Sequence, residues 1–401
     1  MDIIKLAQAE QAALVKWRRD LHQCPELGLE LPQTVAYISQ QLDDLGISYD
    51  ASYVNGNAIV ALIEGQGDPA WSGPDRVLAM RADMDGLPIQ EATGHDFASK
   101  NKNMHACGHD SHVAMLLAAA KILQANRSAF AGTVKLLFQP GEEYPGGAEP
   151  MIKEGAMENP QVTMVTGFHA GHIDPNTPAG KIGYCQGPMM ASMDRFLIEV
   201  KGQGWHGAYP ESSRDPIAAA GQLITAIQTI KSRNIKATTP AVVSITRVEG
   251  GYNQNIIPDK VELEGTVRAF DDQVRKKIAS RLQEIATGIG QAMDVDCQLT
   301  YDYKYPAVIN DPQASQILTA SLKDLFGPDK LHELTDPLMG GEDFAYYLKE
   351  APGAFFFLAN PGLIDGSFHG HHHSKFDIDE DLMYMGTAAF VKMALDYLKA
   401  K

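Results

Sequence analysis

The chain has 401 residues and a net charge of −16, from 34 Lys and Arg against 50 Asp and Glu. So acidic a chain offers no basic stripe, which argues against a nucleic-acid or anionic-membrane partner but not against a small anionic substrate. A hydrophobic fraction of 44% fits a soluble globular protein, and the length predicts two domains.

Neither a membrane span nor a disulfide framework is predicted. The apolar run at 113–123 is too short to cross a bilayer and contains Lys121. The N-terminal segment has early acidic residues and a helical period, unlike a signal peptide. The four cysteines, Cys24, Cys107, Cys185 and Cys297, are widely spaced and form no CxxC pair. These features predict a reduced, cytoplasmic protein.

The first half of the chain alternates strand and helix patterns. Buried strands are predicted at 57–64, 76–83, 132–140 and 162–170. An Ala- and Leu-rich helix is predicted at 111–126, between the second and third of these strands. Alternation of this kind predicts an α/β domain with a mainly parallel sheet and flanking helices.

The pattern changes near Gly187. Strands at 194–204, 241–251, 260–271 and 295–304, with helices at 215–233 and 272–293, give the order βαββαβ of a ferredoxin-like domain. After about Tyr303 the helix and strand units return, with another buried strand at 353–360. The sequence therefore predicts one α/β domain in two pieces, 1–187 and 304–401, interrupted by a smaller domain at 188–303.

Metal-ligating side chains follow the predicted strands of the larger domain. They are Asp83 and Asp85, Glu142 and Glu143, His169, and the run His369, His371, His372 and His373, while Cys107 and His109 stand just before a helix. In open α/β sheets, functional residues collect beyond the carboxyl ends of the strands. We therefore expect these five segments to meet at one edge of one sheet.

A thiolate, imidazoles and carboxylates together suit zinc, or a related transition metal such as manganese, cobalt or nickel. The candidates suffice for two ions that share a bridging ligand, and no HExxH motif is present. Taken singly, each residue has an ordinary explanation: Cys107 as a small buried hydrophobe, the paired Glu as an exposed face, the His run as a solvated loop. Their coincidence at strand ends favours a metal site.

Glu142 and Glu143 are expected to have different roles. Adjacent residues on an irregular loop point in different directions, so one carboxylate can hold metal while the other faces a bound water. A carboxylate within hydrogen-bond reach of such a water acts as a general base.

Nine stretches occur in an order that resembles a known family. They are RRDLHQCPELGLE, RADMDGLP, HACGHDSH, FQPGEE, GFHAGH, NIIPD, GTVRAFD, GGEDFAYYL and HHSKFDIDE. Together they resemble the dinuclear metallo-amidohydrolases of the aminoacylase and carboxypeptidase G superfamily, in the branch with hippurate hydrolases, N-acyl-amino-acid amidohydrolases and auxin-conjugate hydrolases. The resemblance covers essentially the whole chain. It implies a zinc-exopeptidase-like catalytic domain with an inserted lid and dimerisation domain, and a homodimer.

The resemblance also implies roles for residues of the larger domain. The metal ligands would be Cys107, His109, Glu143, His169 and His372. Glu142 would be the general base, and Asp85 would orient the site from behind. His373 stays an alternative to His372, because Ser374 stands where the family often has Pro.

Three residues of the inserted domain match substrate-binding positions of the family. His206 would stabilise the oxyanion, while Asn255 and Arg268 would hold the substrate carboxylate. Arg offers a bidentate fork for a carboxylate. Trp205 stands where the family usually has Gly, which puts the shape of the loop beside His206 in question.

The function expected from these residues is metal-dependent hydrolysis of the amide bond of an N-acyl amino acid or a small peptide-like conjugate. A dipeptidase or carboxypeptidase and an N-acetyl-diaminopimelate deacetylase are alternatives within the same chemistry. A non-catalytic metal-binding protein is the alternative of a different class.

Overall fold

The structure is a computed structural model that describes residues 1–68, 70–71 and 76–399. Its contacts divide the chain into two compact units. Unit 1 combines Met1–Met189, Ile309–Pro337 and the chain from Asp343 onwards, and unit 2 combines Met190–Val308 with Leu338–Glu342. The sequence patterns give borders at 187/188 and 303/304. They do not predict that the segment at 338–342 belongs to unit 2. Five residues that include two glycines are too few to show a hydrophobic period.

The helices of the described chain, in order, are α1 (Ile3–Ala9), α2 (Gln11–His22), α3 (Pro32–Asp44), α4 (Tyr53–Gly56), α5 (His109–Ala125), α6 (Ala148–Lys153), α7 (Pro216–Thr229), α8 (Asp272–Met293), α9 (Pro312–Phe326), α10 (Tyr347–Glu350) and α11 (Met383–Tyr397). The strands are β1 (Ser48–Ser52), β2 (Ala58–Glu64), β3 (Val77–Asp83), β4 (Thr133–Gln139), β5 (Met164–Gly171), β6 (Ile182–Tyr184), β7 (Gly187–Met190), β8 (Asp194–Lys201), β9 (Trp205–His206), β10 (Ala241–Gly250), β11 (Ile256–Ile257), β12 (Lys260–Ala269), β13 (Asp296–Tyr303), β14 (Val308–Asn310), β15 (Leu331–Glu333), β16 (Gly353–Ala359), β17 (Leu363–Ile364) and β18 (Ser367–Phe368).

Unit 1 is built on an eight-stranded sheet in the order β1-β2-β4-β3-β5-β16-β6-β15. Its centre is parallel, since β3 pairs in parallel with β4 and β5, and β5 with β16. Every residue of β3, β5 and β16 is buried, as expected for parallel strands covered on both faces. The predicted α/β fold with a mainly parallel sheet is confirmed.

The carboxyl ends of the central strands lie together. In the parallel register Asp83, the last residue of β3, is opposite Gln139, the last residue of β4. His169 of β5 is opposite Phe357 of β16. α5 begins at His109, two residues after Cys107. The strand ends and the start of α5 therefore bring the candidate ligands of several segments to one edge of the sheet.

A lysine lies inside the sheet. Lys135, in β4, is buried, and its ammonium group donates to the main-chain carbonyls of Ala156, Glu158 and Pro160, at 3.1 Å from the first and 2.9 Å from the third. Burial lowers the pKa of Lys135 to about 8. The side chain thus fastens the segment at 156–160 to the middle of the sheet.

Unit 2 has the predicted βαββαβ order, formed by β8, α7, β10, β12, α8 and β13. Its four strands make an antiparallel sheet in the order β10-β12-β8-β13. Buried and less buried residues alternate along β8 and β12, because one face of the sheet packs against the apolar sides of α7 and α8. β10 lies at an edge of this sheet and pairs, within the described chain, only with β12.

No helix among the described residues is both long enough and apolar enough to span a membrane.

Candidate metal centre

Cys107 and His169 form the buried centre of the site in unit 1. The Sγ of Cys107 lies 3.4 Å from the Nε2 of His169. The Nδ1 of His169 lies 2.8 Å from the carbonyl oxygen of Ala170, and a carbonyl only accepts, so Nδ1 carries the proton and Nε2 a lone pair. Burial also lowers the pKa of His169 well below its ordinary value, which keeps the ring neutral. A lone pair therefore points at the sulfur.

Cys107 is a thiol that burial alone would keep protonated. Burial, with a smaller contribution from the charges of Glu143 and Glu142, raises the pKa of Cys107 well above its ordinary value. A nearby cation has the opposite effect, because a coordinating thiol is deprotonated. A sulfur and a ring nitrogen 3.4 Å apart would be close enough to hold one ion between them. The donor pair fits a borderline-soft metal.

His109 is fully buried among carboxylates. Its Nδ1 lies 3.3 Å from Asp85, and its Nε2 lies 3.5 Å from Asp83 and 4.0 Å from Glu142. Burial alone would lower the pKa of His109, but the charges of Asp83, Asp85 and Glu143 outweigh it and raise that pKa to about 10. Neither ring nitrogen makes a hydrogen bond within the described residues. A metal ion bound here would replace that proton, because the carboxylates that favour the protonated ring also favour a cation beside it.

Asp85 holds the two glutamates from behind. Its Oδ1 accepts the main-chain N–H of Glu142 at 3.0 Å, and its Oδ2 accepts that of Glu143 at 3.1 Å. The same carboxylate faces His109. One buried side chain therefore fixes the Glu142–Glu143 peptide relative to a candidate ligand, which suits the orienting role expected for Asp85.

Asp83 connects the site to the neighbouring strand through His112. The Nε2 of His112 accepts the N–H of Ala170 at 2.8 Å, so its Nδ1 carries the proton and donates to Asp83. Arg81 also donates to Asp83 at 2.7 Å. The end of β3 and the His169 segment of β5 are thus joined by side chains as well as by the sheet.

The side chains of the histidine run at 369–373 lie in different surroundings. The Nε2 of His372 lies 3.1 Å from Glu143, and ligand atoms of Cys107, Glu143 and His372 lie within 4.8 Å of one another. The side chain of His372 is 52% exposed. His373 is exposed and stacks on His369, with ring centroids 4.6 Å apart. The structure thus brings His372, rather than His373, next to the other candidate ligands.

The sequence includes His371 in the histidine run but gives it no role of its own. In the structure its Nδ1 lies 3.5 Å from the Sγ of Cys107. Burial lowers the pKa of His371 to about 3, so its ring is neutral. The run of histidines was itself the signal, but a loop with no regular period does not show which of three adjacent rings turns inward.

Asp343 is a second residue whose role was missed. It is buried and accepts from Arg81 at 2.9 Å, from Gln139 at 2.8 Å, and from the main-chain N–H groups of Gly147 and Ala148 at 2.9 and 3.0 Å. In the sequence it stands out only as part of the stretch GGEDFAYYL. It anchors the far end of the loop that carries Glu142 and Glu143.

A buried ionic network lies beside the start of α5. Arg18, in α2, donates to Asp110 at 3.1 Å, to Asp377 at 2.8 Å and to Glu380 at 2.9 Å. Asp110 directly follows His109, and Asp377 follows the histidine run. Arg18 therefore ties two segments that carry candidate ligands to the same helix.

The remaining candidates lie in unit 2. His206, in β9, is exposed, and its Nδ1 accepts the N–H of Ala208 at 3.1 Å, which leaves the Nε2–H available as a donor. Asn255 lies near His206, because the main-chain carbonyl of Asn255 accepts the N–H of Gly207, the residue after His206, at 2.7 Å. Trp205, next to His206, is 47% exposed.

Arg268 lies on β12 and is only partly engaged. Its Nε donates to the carbonyl of Met339 at 3.2 Å, and its Nη1 donates to Thr266 and to the carbonyl of Val267. Within the described chain no hydrogen bond engages Nη2, so part of the guanidinium fork is open to a ligand.

Known proteins resemble this chain along almost its whole length. The profile of peptidase family M20/M25/M40 matches residues 79–396. The chain is 37% identical over 394 residues to N-acetylcysteine deacetylase of Bacillus subtilis (98% of both chains), and 36% identical over 405 residues to thermostable carboxypeptidase 1 of Saccharolobus solfataricus (99% of both). A crystal structure from Bacillus subtilis, described as a dinuclear metal-binding peptidase of the M20 family, aligns with a TM-score of 0.82, 34% identity and coverage of 98% and 99%. The chain belongs to peptidase family M20/M25/M40 and is an amide-bond hydrolase of the amidohydrolase type.

Proposed function

We propose that the protein catalyses metal-dependent hydrolysis of the amide bond of N-acyl amino acids or small peptide-like conjugates. The observation that carries the proposal is the meeting of Cys107, His109, His169 and the Glu142–Glu143 pair at one edge of the unit 1 sheet. Similarity to a deacetylase of an N-acetyl amino acid along almost the whole chain supports the substrate class.

The proposed ligands are Cys107, His109, Glu143, His169 and His372, which would hold two divalent transition-metal ions. Overlapping groups of these side chains support two ions, since Cys107 lies close both to His109 and His169 and to Glu143 and His372. The thiolate favours zinc, manganese, cobalt or nickel over magnesium or calcium. When bound, such ions would lower the pKa of a water molecule and polarise the scissile carbonyl.

Glu142 is the general base in this proposal. It is buried, and the hydrogen bond from its N–H to Asp85 fixes its backbone beside the ligands. Its carboxylate takes a proton from the attacking water and delivers it to the leaving amine. His206 would donate from Nε2 to the oxyanion, an interaction often worth about 3–4 kcal/mol. Asn255 and Arg268 would bind the carboxylate of the substrate.

The protein is further proposed to be a cytoplasmic homodimer that assembles through unit 2, without a nucleic-acid or membrane partner. β10 supports this, because an edge strand of ten residues offers unpaired main-chain groups to a second copy.

A dipeptidase or carboxypeptidase is the second candidate, and similarity to a thermostable carboxypeptidase favours it specifically. An N-acetyl-diaminopimelate deacetylase is a further alternative, which differs from the main proposal only in its substrate. The experiment is a screen of the metal-reconstituted enzyme on N-acetyl amino acids, N-acetyl-diaminopimelate and dipeptides. Faster turnover of N-acyl amino acids supports the proposal, and turnover of dipeptides alone replaces it with the second candidate.

Metal removal tests the chemistry behind both candidates. A chelator should abolish activity, and zinc, manganese, cobalt or nickel should restore it. Full activity in excess chelator, or in a Cys107→Ala/His109→Ala double variant, contradicts the dinuclear centre. A protein that binds metal but turns over no amide would instead be the non-catalytic alternative.

A further inference from the structure

The hydrogen bonds of His371 reveal which of its ring nitrogens carries the proton. The main-chain N–H of His172 donates to its Nε2 at 3.1 Å, so Nε2 must carry a lone pair. The single proton of the imidazole is then on Nδ1. Nδ1 faces the Sγ of Cys107 at 3.5 Å. The contact is therefore an N–H···S hydrogen bond in which the sulfur accepts.

The ring of His371 packs closely against its neighbours. Gly171 has a φ of +106°, and a Cβ at that position would lie 2.5 Å from both the Cε1 and the Nε2 of His371. The ring of Phe376 packs near it, with the two centroids 4.7 Å apart. Only a residue without a side chain at 171 leaves room for this ring, so the donor is held in place on more than one side.

The two histidines beside Cys107 act in opposite senses. His169 turns a lone pair toward the sulfur, whereas His371 turns an N–H toward it. A metal ion needs lone pairs, so the tautomer of His169 suits a ligand. The tautomer of His371 leaves no lone pair on the nitrogen that faces Cys107, and the lone pair on its Nε2 is already occupied by the N–H of His172.

We propose that His371 is a positioning residue that donates from Nδ1 to the Cys107 thiolate and does not itself bind metal. The inference rests on the proposed metal centre. An N–H donor stabilises the negative sulfur and fixes its direction, and hydrogen-bond partners of metal ligands typically contribute about 10- to 100-fold to metal affinity.

The test uses the cobalt-substituted protein and three variants. His371→Phe keeps a flat ring but removes the donor, and His371→Asn restores an N–H near the position of Nδ1. His373→Phe is the matched control, since it places the same residue in the same run, away from Cys107. The readouts are the sulfur-to-cobalt charge-transfer absorption and cobalt affinity by chelator competition.

We expect His371→Phe to move the charge-transfer band to lower energy and to weaken cobalt binding about 10- to 100-fold. His371→Asn should recover most of both changes, and His373→Phe should change neither. An unchanged band and affinity in His371→Phe would overturn the inference. So would the loss of one cobalt per chain in both His371 variants, because His371 would then be a ligand.

Failure of the underlying function gives a different result. A wild-type cobalt protein without any sulfur-to-cobalt band would show that Cys107 is not a ligand, and the proposed centre would fall together with this inference. A normal wild-type band that does not respond to His371→Phe overturns the role of His371 alone.

Discussion

Glu142 and Glu143 are neighbours in the sequence, yet their side chains have different surroundings. Glu143 lies 3.1 Å from His372 and close to Cys107, whereas the nearest ring nitrogen of His109 is 4.0 Å from Glu142. Asp85 accepts both of their main-chain N–H groups. Because the peptide is fixed in this way, replacing one carboxylate should not move the other.

Glu142→Gln should therefore keep its metal and lose about 10²- to 10⁴-fold in turnover, since the amide cannot take the proton of a water. Glu143→Gln should instead lower the metal content, because a ligand is lost. Metal analysis and kcat on the same preparations separate the two effects. Glu149→Gln, a few residues along on the exposed side of α6, is the control and should change neither. The reverse pattern would exchange the two roles.

Arg268 gives a second test at this scale, because its guanidinium is only partly engaged by the protein. Arg268→Ala should lower kcat/KM by about 10- to 100-fold for substrates with a free carboxylate, the usual cost of a hydrogen bond to a charged group. The matching substrate amides should lose much less. Equal losses on acids and amides would show that Arg268 only supports the fold around Met339.

At the scale of elements, ionic contacts connect α2 to the start of α5, beside the candidate metal centre. His22, in α2, lies 2.7 Å from Asp110 at the start of α5 and 3.3 Å from Glu91. Burial alone would raise the pKa of Glu91, but His22 and the hydrogen bonds from Thr93 and Ser99 lower it to about 2. The folded pKa is below the ordinary value of 4.5, so Glu91 stabilises the fold above about pH 4.5 and loses this effect as the pH falls toward 2.

Glu91→Gln should consequently lower the free energy of unfolding by about 1–3 kcal/mol near pH 7. The difference from wild type should shrink as the pH falls from about 5 to 2. Urea unfolding at several pH values, on metal-free protein, measures it. Glu64→Gln, at the exposed end of β2, is the control. A difference that stays constant over the whole pH range would mean that Glu91 acts by packing and not by its charge.

The elements were predictable where the pattern is local. The strands β3, β5 and β16 are unbroken buried runs, and the alternation along β12 shows which face is covered, so the α/β sheet and the βαββαβ unit follow from the sequence. The roles of His371, Asp343 and Arg18 were not predictable. Each role depends on the direction of a side chain or on a partner that lies about 90 to more than 350 residues away in the sequence. Side-chain direction and distant partners produce no periodic pattern in the sequence.

At the scale of the whole molecule, the question is whether one chain is a complete enzyme. In the proposed homodimer, His206 would complete the site of a second subunit, while Glu142 would serve its own. Glu142→Ala and His206→Ala should then both be inactive alone. Unfolding and refolding them as a mixture should return about a quarter of wild-type activity, because half of the dimers have one complete site. Verified subunit exchange with no recovered activity would rule out the trans arrangement.

The rate at which Lys135 is chemically modified can report how often the sheet around it unfolds locally. At pH 9 an amine with a pKa of about 8 is mostly uncharged and therefore reactive, yet three carbonyls and the surrounding sheet keep acylating reagents away from it. Modification requires β4 to separate from the segment at 156–160, so the labelling rate of Lys135 reports how often this part of the sheet unfolds. A ligand that binds only the native state slows such opening. Peptide mass spectrometry should thus find Lys135 acylated far more slowly than the exposed Lys16, and more slowly again when the centre is loaded with metal.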